Sequence, residues 1–235
     1  MSKSVQRGYS PKDEIEFGPK WLESLNRAGE ELAYLLNRGY MVKSASTFIG
    51  NHYLLSERQR LALARIIAPS LQLEQRKAKA LSAYQLPSCM HIDGFNTIIT
   101  LEVALSHSLL IQGMDGVVRD LAGLRGTYRI IDKTEVAIRL ILQTLECLNV
   151  LEVVIYLDKP VSNSGRLKTL ILELAKDYTI KVTVQVLNEV DQVLEQLAGV
   201  ISSDAVILDK CISWFNLNEI IIEKHIKDAW IFKVQ

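Results

Sequence analysis

Four aspartates carry the chemical interest of this 235-residue chain: Asp93, Asp158, Asp191 and Asp204. Each follows a short apolar run. Cys89-Met-His-Ile92 precedes Asp93, and Leu151 to Leu157 (LEVVIYL) precedes Asp158. Thr179 to Leu187 (TIKVTVQVL) comes shortly before Asp191, and Gly199-Val-Ile201 comes before Ser202-Ser203-Asp204. Runs of this kind, rich in β-branched residues, read as buried strands. If the strands are parallel, all four acids lie along one sheet edge, where α/β proteins bind their ligands. Carboxylates gathered there repel one another, so their pKa values rise until a cation neutralises them. Hard oxygen donors suit Mg²⁺ or Mn²⁺ rather than zinc. Such an ion can activate water and stabilise the charge that builds up in phosphodiester cleavage, with Asp93, Asp158 and Asp204 as the catalytic candidates. Any single aspartate in these positions is more simply a turn or helix-cap residue. Four at corresponding strand ends carry more weight than one.

The elements that must position these acids fall into two parts. Residues 1–19 are polar, with two glycines and two prolines, and read as a loose leader. Leu22, Leu25, Leu32, Leu35 and Leu36 then form one helical stripe that needs a partner to bury it, with Gly39 as its stop. A short helix is expected over 43–50. A third begins at the capping box Ser56-x-x-Gln59 and stops before Pro69, and a fourth covers 71–83. Pro87 marks the boundary between an all-α N-terminal module, 1–87, and an α/β domain, 88–235. In the second part, strands alternate with helices expected at 101–111, 132–148, 165–176, 189–197 and 218–226, and 229–234 could be an edge strand. The segment 113–126 has no clear assignment. The alternation predicts a Rossmann-like, mostly parallel sheet with helices on both faces.

Other residues could serve a phosphate-bearing substrate. Arg119, Arg125 and Arg129 lie in a Gly- and Arg-rich stretch that could clamp a backbone phosphate or merely face solvent. Ser162 and Asn163 precede a helix and could offer hydroxyl and amide groups to a phosphate, or simply cap that helix. Arg58, Arg60, Arg65, Arg76, Lys77 and Lys79 could form a basic face, although such runs are usually just solvated. Asp209 is a further acidic candidate. Residues 1–87 hold 13 Lys/Arg against 8 Asp/Glu and the remainder 14 against 19, a basic module joined to an acidic one within zero net charge. That asymmetry is compatible with a nucleic-acid substrate and equally with chance. The longest apolar stretch, 97–112, is broken by Glu102 and His107, which argues against a membrane span. Three dispersed cysteines without zinc spacing suit a reducing compartment, and the protein is expected to be cytoplasmic.

His91-Ile-Asp-Gly-Phe-Asn96 resembles the first-strand motif of NYN domains, a branch of the PIN-like nucleases with Asp-Gly-x-Asn after an apolar strand. Glu189-Val-Asp191-Gln resembles their "Ala-Asp-Asp-x-Ile" helix start, with Val190 and Gln192 departing from it. Val200-Ile-Ser-Ser-Asp204 is similar to their "Val-Val-Thr-Ser-Asp" strand end, and Asp158 occupies the place of the second strand's acid. The resemblance covers about residues 88–210. It implies a PIN-like fold and a Mg²⁺- or Mn²⁺-dependent endoribonuclease. Asp93, Asp191 and Asp204 would be metal ligands, Asp158 a ligand or supporting acid, and Asn96 would orient Asp93 or contact substrate. It also implies RNA as partner and leaves homo-oligomerisation open. Gln192 favours the alternative, a non-catalytic RNA- or nucleotide-binding module on the same fold; a protein-binding assembly role is the third reading. The N-terminal part, with Arg38-Gly-Tyr40 and Phe48-Ile-Gly-Asn-His52, resembles an uncharacterised helical domain found ahead of such α/β domains in archaea and bacteria.

Overall fold

A computed structural model describes residues 5–123 and 126–234. The helical module comprises α1 (Asp13–Glu16), α2 (Pro19–Leu36), α3 (Val42–His52), α4 (Glu57–Ile66) and α5 (Ser70–Lys79). Pro19 opens α2 at its first turn, where a missing N–H costs nothing. Leu25, Ala28, Leu32 and Leu36 form its buried stripe, whereas Leu22 is exposed. Gly39, at φ +83°, closes the helix: its N–H reaches Leu36 O and that of Tyr40 reaches Leu35 O. The Ser56 capping box forms as the sequence predicts: Ser56 Oγ accepts from Gln59 N at 3.2 Å, and Gln59 Oε1 accepts from Ser56 N at 2.9 Å.

The described part of the leader is not loose. Arg7 is buried and donates from Nε to Glu102 Oε2 at 2.8 Å. Asp13 is buried and accepts from Arg58 Nη2 at 2.7 Å. Phe17 packs edge-on against Phe232, with ring centroids 5.2 Å apart. A polar leader is held down here because its few charged groups find opposite charges inside, where an unpaired one would be costly.

The α/β part contains two sheets. Strands β1 (Cys89–Asp93), β4 (Glu152–Asp158), β5 (Lys181–Leu187) and β6 (Val200–Ile201) form a four-stranded parallel sheet in the order β5-β4-β1-β6. Helices cover both faces. On one face α6 (Gly94–Leu105), α7 (Asp132–Cys147), α8 (Ser164–Leu174) and α11 (Leu217–His225) pack with Val153, Ile155 and Leu157. On the other, α9 (Val190–Leu194) and α10 (Ala205–Lys210) pack with Val154 and Tyr156. The period-two alternation of β4 thus supplies two cores from one strand.

The second sheet departs from the sequence expectation. Strands β2 (Leu110–Gln112), β3 (Val118–Asp120) and β7 (Ile231–Phe232) stand in the order β3-β2-β7, with β3 antiparallel and β7 parallel to β2. The helix expected over 101–111 is instead α6 ending at Leu105, a turn with His107 at φ +50°, and then β2. The pairing of Leu110 and Ile111 with Ile231 and Phe232 overrides the local preference. This sheet is the floor of the helical module: Leu109, Ile111, Leu121 and Phe232 join Leu25, Leu32, Ile49, Leu63 and Ile66 in one core. Among the described residues no helix is long and apolar enough to cross a membrane.

Candidate functional site

The register of the parallel sheet sets the acids in place. Asp93 is level with Tyr156, two residues before Asp158, and Ile92 is level with Ile201, three residues before Asp204. The chain must turn sharply after Asp93. Gly94 permits it, because a Cβ there would come within 2.6 Å of Leu157 Cδ2 and 2.8 Å of Tyr156 O. Asp93 is the N-cap of α6 and only 2% exposed. Its Oδ2 accepts from Asn96 Nδ2 and from Ser202 Oγ, both at 2.7 Å. Ser202 Oγ in turn accepts from Asp204 N at 3.0 Å, so one hydroxyl joins the two acidic strand ends. Asp204 is partly buried, caps α10 through Val206 N at 2.7 Å, and has one carboxylate oxygen without a hydrogen bond among the described residues.

No cation pairs with Asp93 among the described residues. Burial pushes its carboxyl up to about 7, reinforced by the Asp204 charge, against the lowering by Asn96 and Ser202. Asp158 is raised by partial burial and then by Asp191. Asp191, exposed at the start of α9, is raised by desolvation and then by Asp204 and Glu195, with Lys210 opposing. The four acids therefore form a chain of mutual repulsion along the C-terminal edge. They do not close into one cage: among the described residues no three of His, Cys, Asp and Glu are grouped to hold a metal ion. The donor set still fits Mg²⁺ or Mn²⁺ in chemistry. These are hard oxygens, and Mg²⁺ commonly uses one or two carboxylates and keeps water or phosphate oxygens for the rest. Asp93 and Asp204 are the two acids that a shared hydroxyl joins.

Beside them lies a cleft of about 210 Å³, lined by Ala64 and Arg65 of α4, Asn96, Arg119, Asp120 and residues 203–206. Nothing in the sequence singles out Asp120, since its segment has no strand periodicity. Asp120 Oδ1 accepts from Ala122 N at 2.8 Å and its carbonyl accepts from Arg65 Nη1 at 2.7 Å. Arg119 lines the cleft but is a buried structural tie. Its Nε donates to Ser203 O at 2.8 Å and its Nη atoms to the Asp115 carboxylate at 2.8 and 2.6 Å. Arg129 is exposed, and its carbonyl accepts from Arg7. Arg125 lies outside the described residues. Ser162 and Asn163 brace a neighbouring loop: Ser162 Oγ accepts from Tyr128 N at 2.8 Å, and Asn163 Nδ2 donates to Tyr128 O at 2.6 Å. Asp209 accepts from Arg76 at 2.6 Å and so belongs to the scaffold.

The family described as a domain of unknown function (DUF5616) matches residues 85–220. A second, described as a protein of unknown function (DUF434), matches residues 24–79. An uncharacterized protein of Methanocaldococcus jannaschii is 35% identical over 187 residues, 79% of this chain and 89% of that protein. No solved structure matches the chain.

Proposed function

The chain belongs to the DUF5616 family, and on the chemistry of its acidic edge we propose that it is a Mg²⁺- or Mn²⁺-dependent phosphodiesterase of PIN/NYN type that cleaves single-stranded RNA in the cytoplasm. The observation that carries this reading is Asp93. It is a buried carboxylate at a parallel strand end, hydrogen-bonded among the described residues only to neutral donors and linked through one serine to a second acid. Burying a carboxylate without a counter-charge is costly, and groups perturbed in this way cluster at functional sites. Asp93 and Asp204 would hold the ion, with Asp158 and Asp191 adding negative potential. The ion would supply charge neutralisation at the phosphoryl group and a more acidic bound water. Asn96 and Ser202 fix the rotamer of Asp93. Ser202 also ties the start of α10 to the end of β1, so the two acids keep their separation without substrate.

A non-catalytic RNA- or nucleotide-binding module is the second reading. The exposure of Asp191 and the open arrangement of the four acids favour it. Incubation of a mixed-sequence single-stranded RNA in Mn²⁺ or Mg²⁺, with an EDTA control, separates the two. Cleavage that needs metal and disappears in Asp93→Asn and Asp204→Asn supports the enzyme. Cleavage that persists in EDTA, or is equal in both variants, removes it. Salt-sensitive binding without cleavage selects the second reading.

A further inference from the structure

The basic residues of the helical module divide sharply once folded. Arg58 is neutralised by buried Asp13, and Arg76 by Asp115 and Asp209. Lys79 is turned onto the carbonyls of Asp209 and Cys211 at 2.7 and 3.0 Å. Arg119, which the α/β part contributes to the cleft, is neutralised by Asp115. Arg65 differs. It is exposed, lines the cleft that holds Asp204 and Asn96, and has no carboxylate partner among the described residues. Its one hydrogen bond among the described residues, to Asp120 O, uses one of five guanidinium N–H groups. That bond anchors the side chain and leaves its remaining donors available, which is how a preorganised anion contact is made.

The cleft therefore has two unlike walls. One, from α4, carries a tethered cation with no carboxylate bonded to it among the described residues; the other, beyond the ends of β1 and β6, carries Asn96 and the Asp204 carboxylate that a metal ion would neutralise, and Asp120 of β3 lies between them. A volume of about 210 Å³ is below the roughly 300–1,000 Å³ of sites that enclose a drug-sized ligand. It suits one backbone unit of a longer chain. We propose that Arg65 is a substrate-binding residue that takes a backbone phosphate of single-stranded RNA in this cleft. The inference rests on the nucleic-acid reading above. It also gives the helical module a part in binding, because without α4 the cleft has no cationic wall.

The proposal is tested by fluorescence anisotropy of a labelled mixed-sequence single-stranded RNA against the full-length protein, titrated over KCl with Ca²⁺ to hold the acids without cleavage. Arg65→Ala is expected to weaken binding about tenfold at about 0.1 M salt and to lower the slope of log affinity against log salt by about 0.7, one phosphate contact on a single strand. Arg65→Gln keeps a donor for the Asp120 carbonyl but loses the charge, so it separates charge from fold and is expected to lose the same slope. Arg65→Lys should retain the slope with a smaller loss of affinity. Arg139→Ala, at a surface pair with Asp177 ahead of β5, should match the wild type. Wild-type binding with unchanged affinity and slope in both Arg65→Ala and Arg65→Gln overturns the role of Arg65 and leaves the RNA reading standing. Wild-type protein that binds no RNA even at low salt overturns both.

Discussion

Asp93 and Asp115 are two aspartates whose side chains have almost no exposed surface, and the fold treats them oppositely. Asp115 sits in the turn between β2 and β3. Burial pushes its carboxyl up, but Arg119 and Arg76 more than offset this and hold it below the usual carboxylate range. Asp93 receives hydrogen bonds from Asn96 and a hydroxyl and, among the described residues, pairs with no cation, so burial pushes its carboxyl up to about 7. A carboxylate between two guanidiniums is complete as it stands; it ties α5 to β3, and Arg76 extends the link to Asp209 of α10. A carboxylate surrounded by neutral donors is complete only when it is protonated or meets a cation from outside. Burial alone therefore does not single out an acid; burial without an internal counter-charge, together with a raised pKa, is what makes Asp93 the candidate.

Exchanging each for asparagine is the sharpest way to break this comparison. Asp93→Asn is expected to remove metal-dependent RNA cleavage, a fall of at least about a thousandfold, with the fold intact by circular dichroism. Asp115→Asn leaves two buried guanidiniums short of a partner. It should cost about 3 kcal/mol, which lowers the melting temperature by roughly 6–12 °C in a chain of this size. If the two variants exchange these phenotypes, the distinction between them is wrong.

The acidity of the two groups gives the next effect. In EDTA the folded pKa of Asp93 lies above its unfolded value. Its stabilising contribution is therefore full below about pH 4 and is lost as pH rises toward 7, a change of roughly 4 kcal/mol. Asp115 works with the opposite sign: its contribution is present above pH 4 and is lost as pH falls below. Thermal melts from pH 4 to 8 should show a decline that Asp93→Asn removes, so that at pH 8 the variant melts above the metal-free wild type. A flat wild-type profile would show that Asp93 has a counter-charge after all. Excess Mn²⁺ should suppress the decline, because the ion favours the ionised form.

Ser202→Ala is the finest cut. It removes a donor to Asp93 and an acceptor for Asp204 N. Groups that orient a ligand in this way typically matter by roughly tenfold in metal affinity. Calorimetric titration with Mn²⁺ measures it, and affinity equal to wild type would mean that the hydroxyl does not hold the two acids in register.

The amino-acid sequence alone determined the elements with strong local signals. The Ser56-Gln59 capping box, the Gly39 stop of α2 and the strand ending at Asp158 all depend on neighbours within a few residues, so they are readable without the fold. So is the order of the four acids, since a parallel sheet carries each strand end to the same edge once the alternation of strand and helix is recognised. The tertiary structure decided what lies next to what. Strands β2, β3 and β7 have two or three residues each, too short to show a period, and β2 is a strand only because Ile231 and Phe232 come to lie beside it. Arg65 and Arg119 look alike as residues in a basic and an arginine-rich stretch. One has no carboxylate bonded to it among the described residues and the other is neutralised by Asp115, because counter-charges are assigned by contacts between distant segments. Asp120 reaches the cleft for the same reason, through the pairing of β3 with β2.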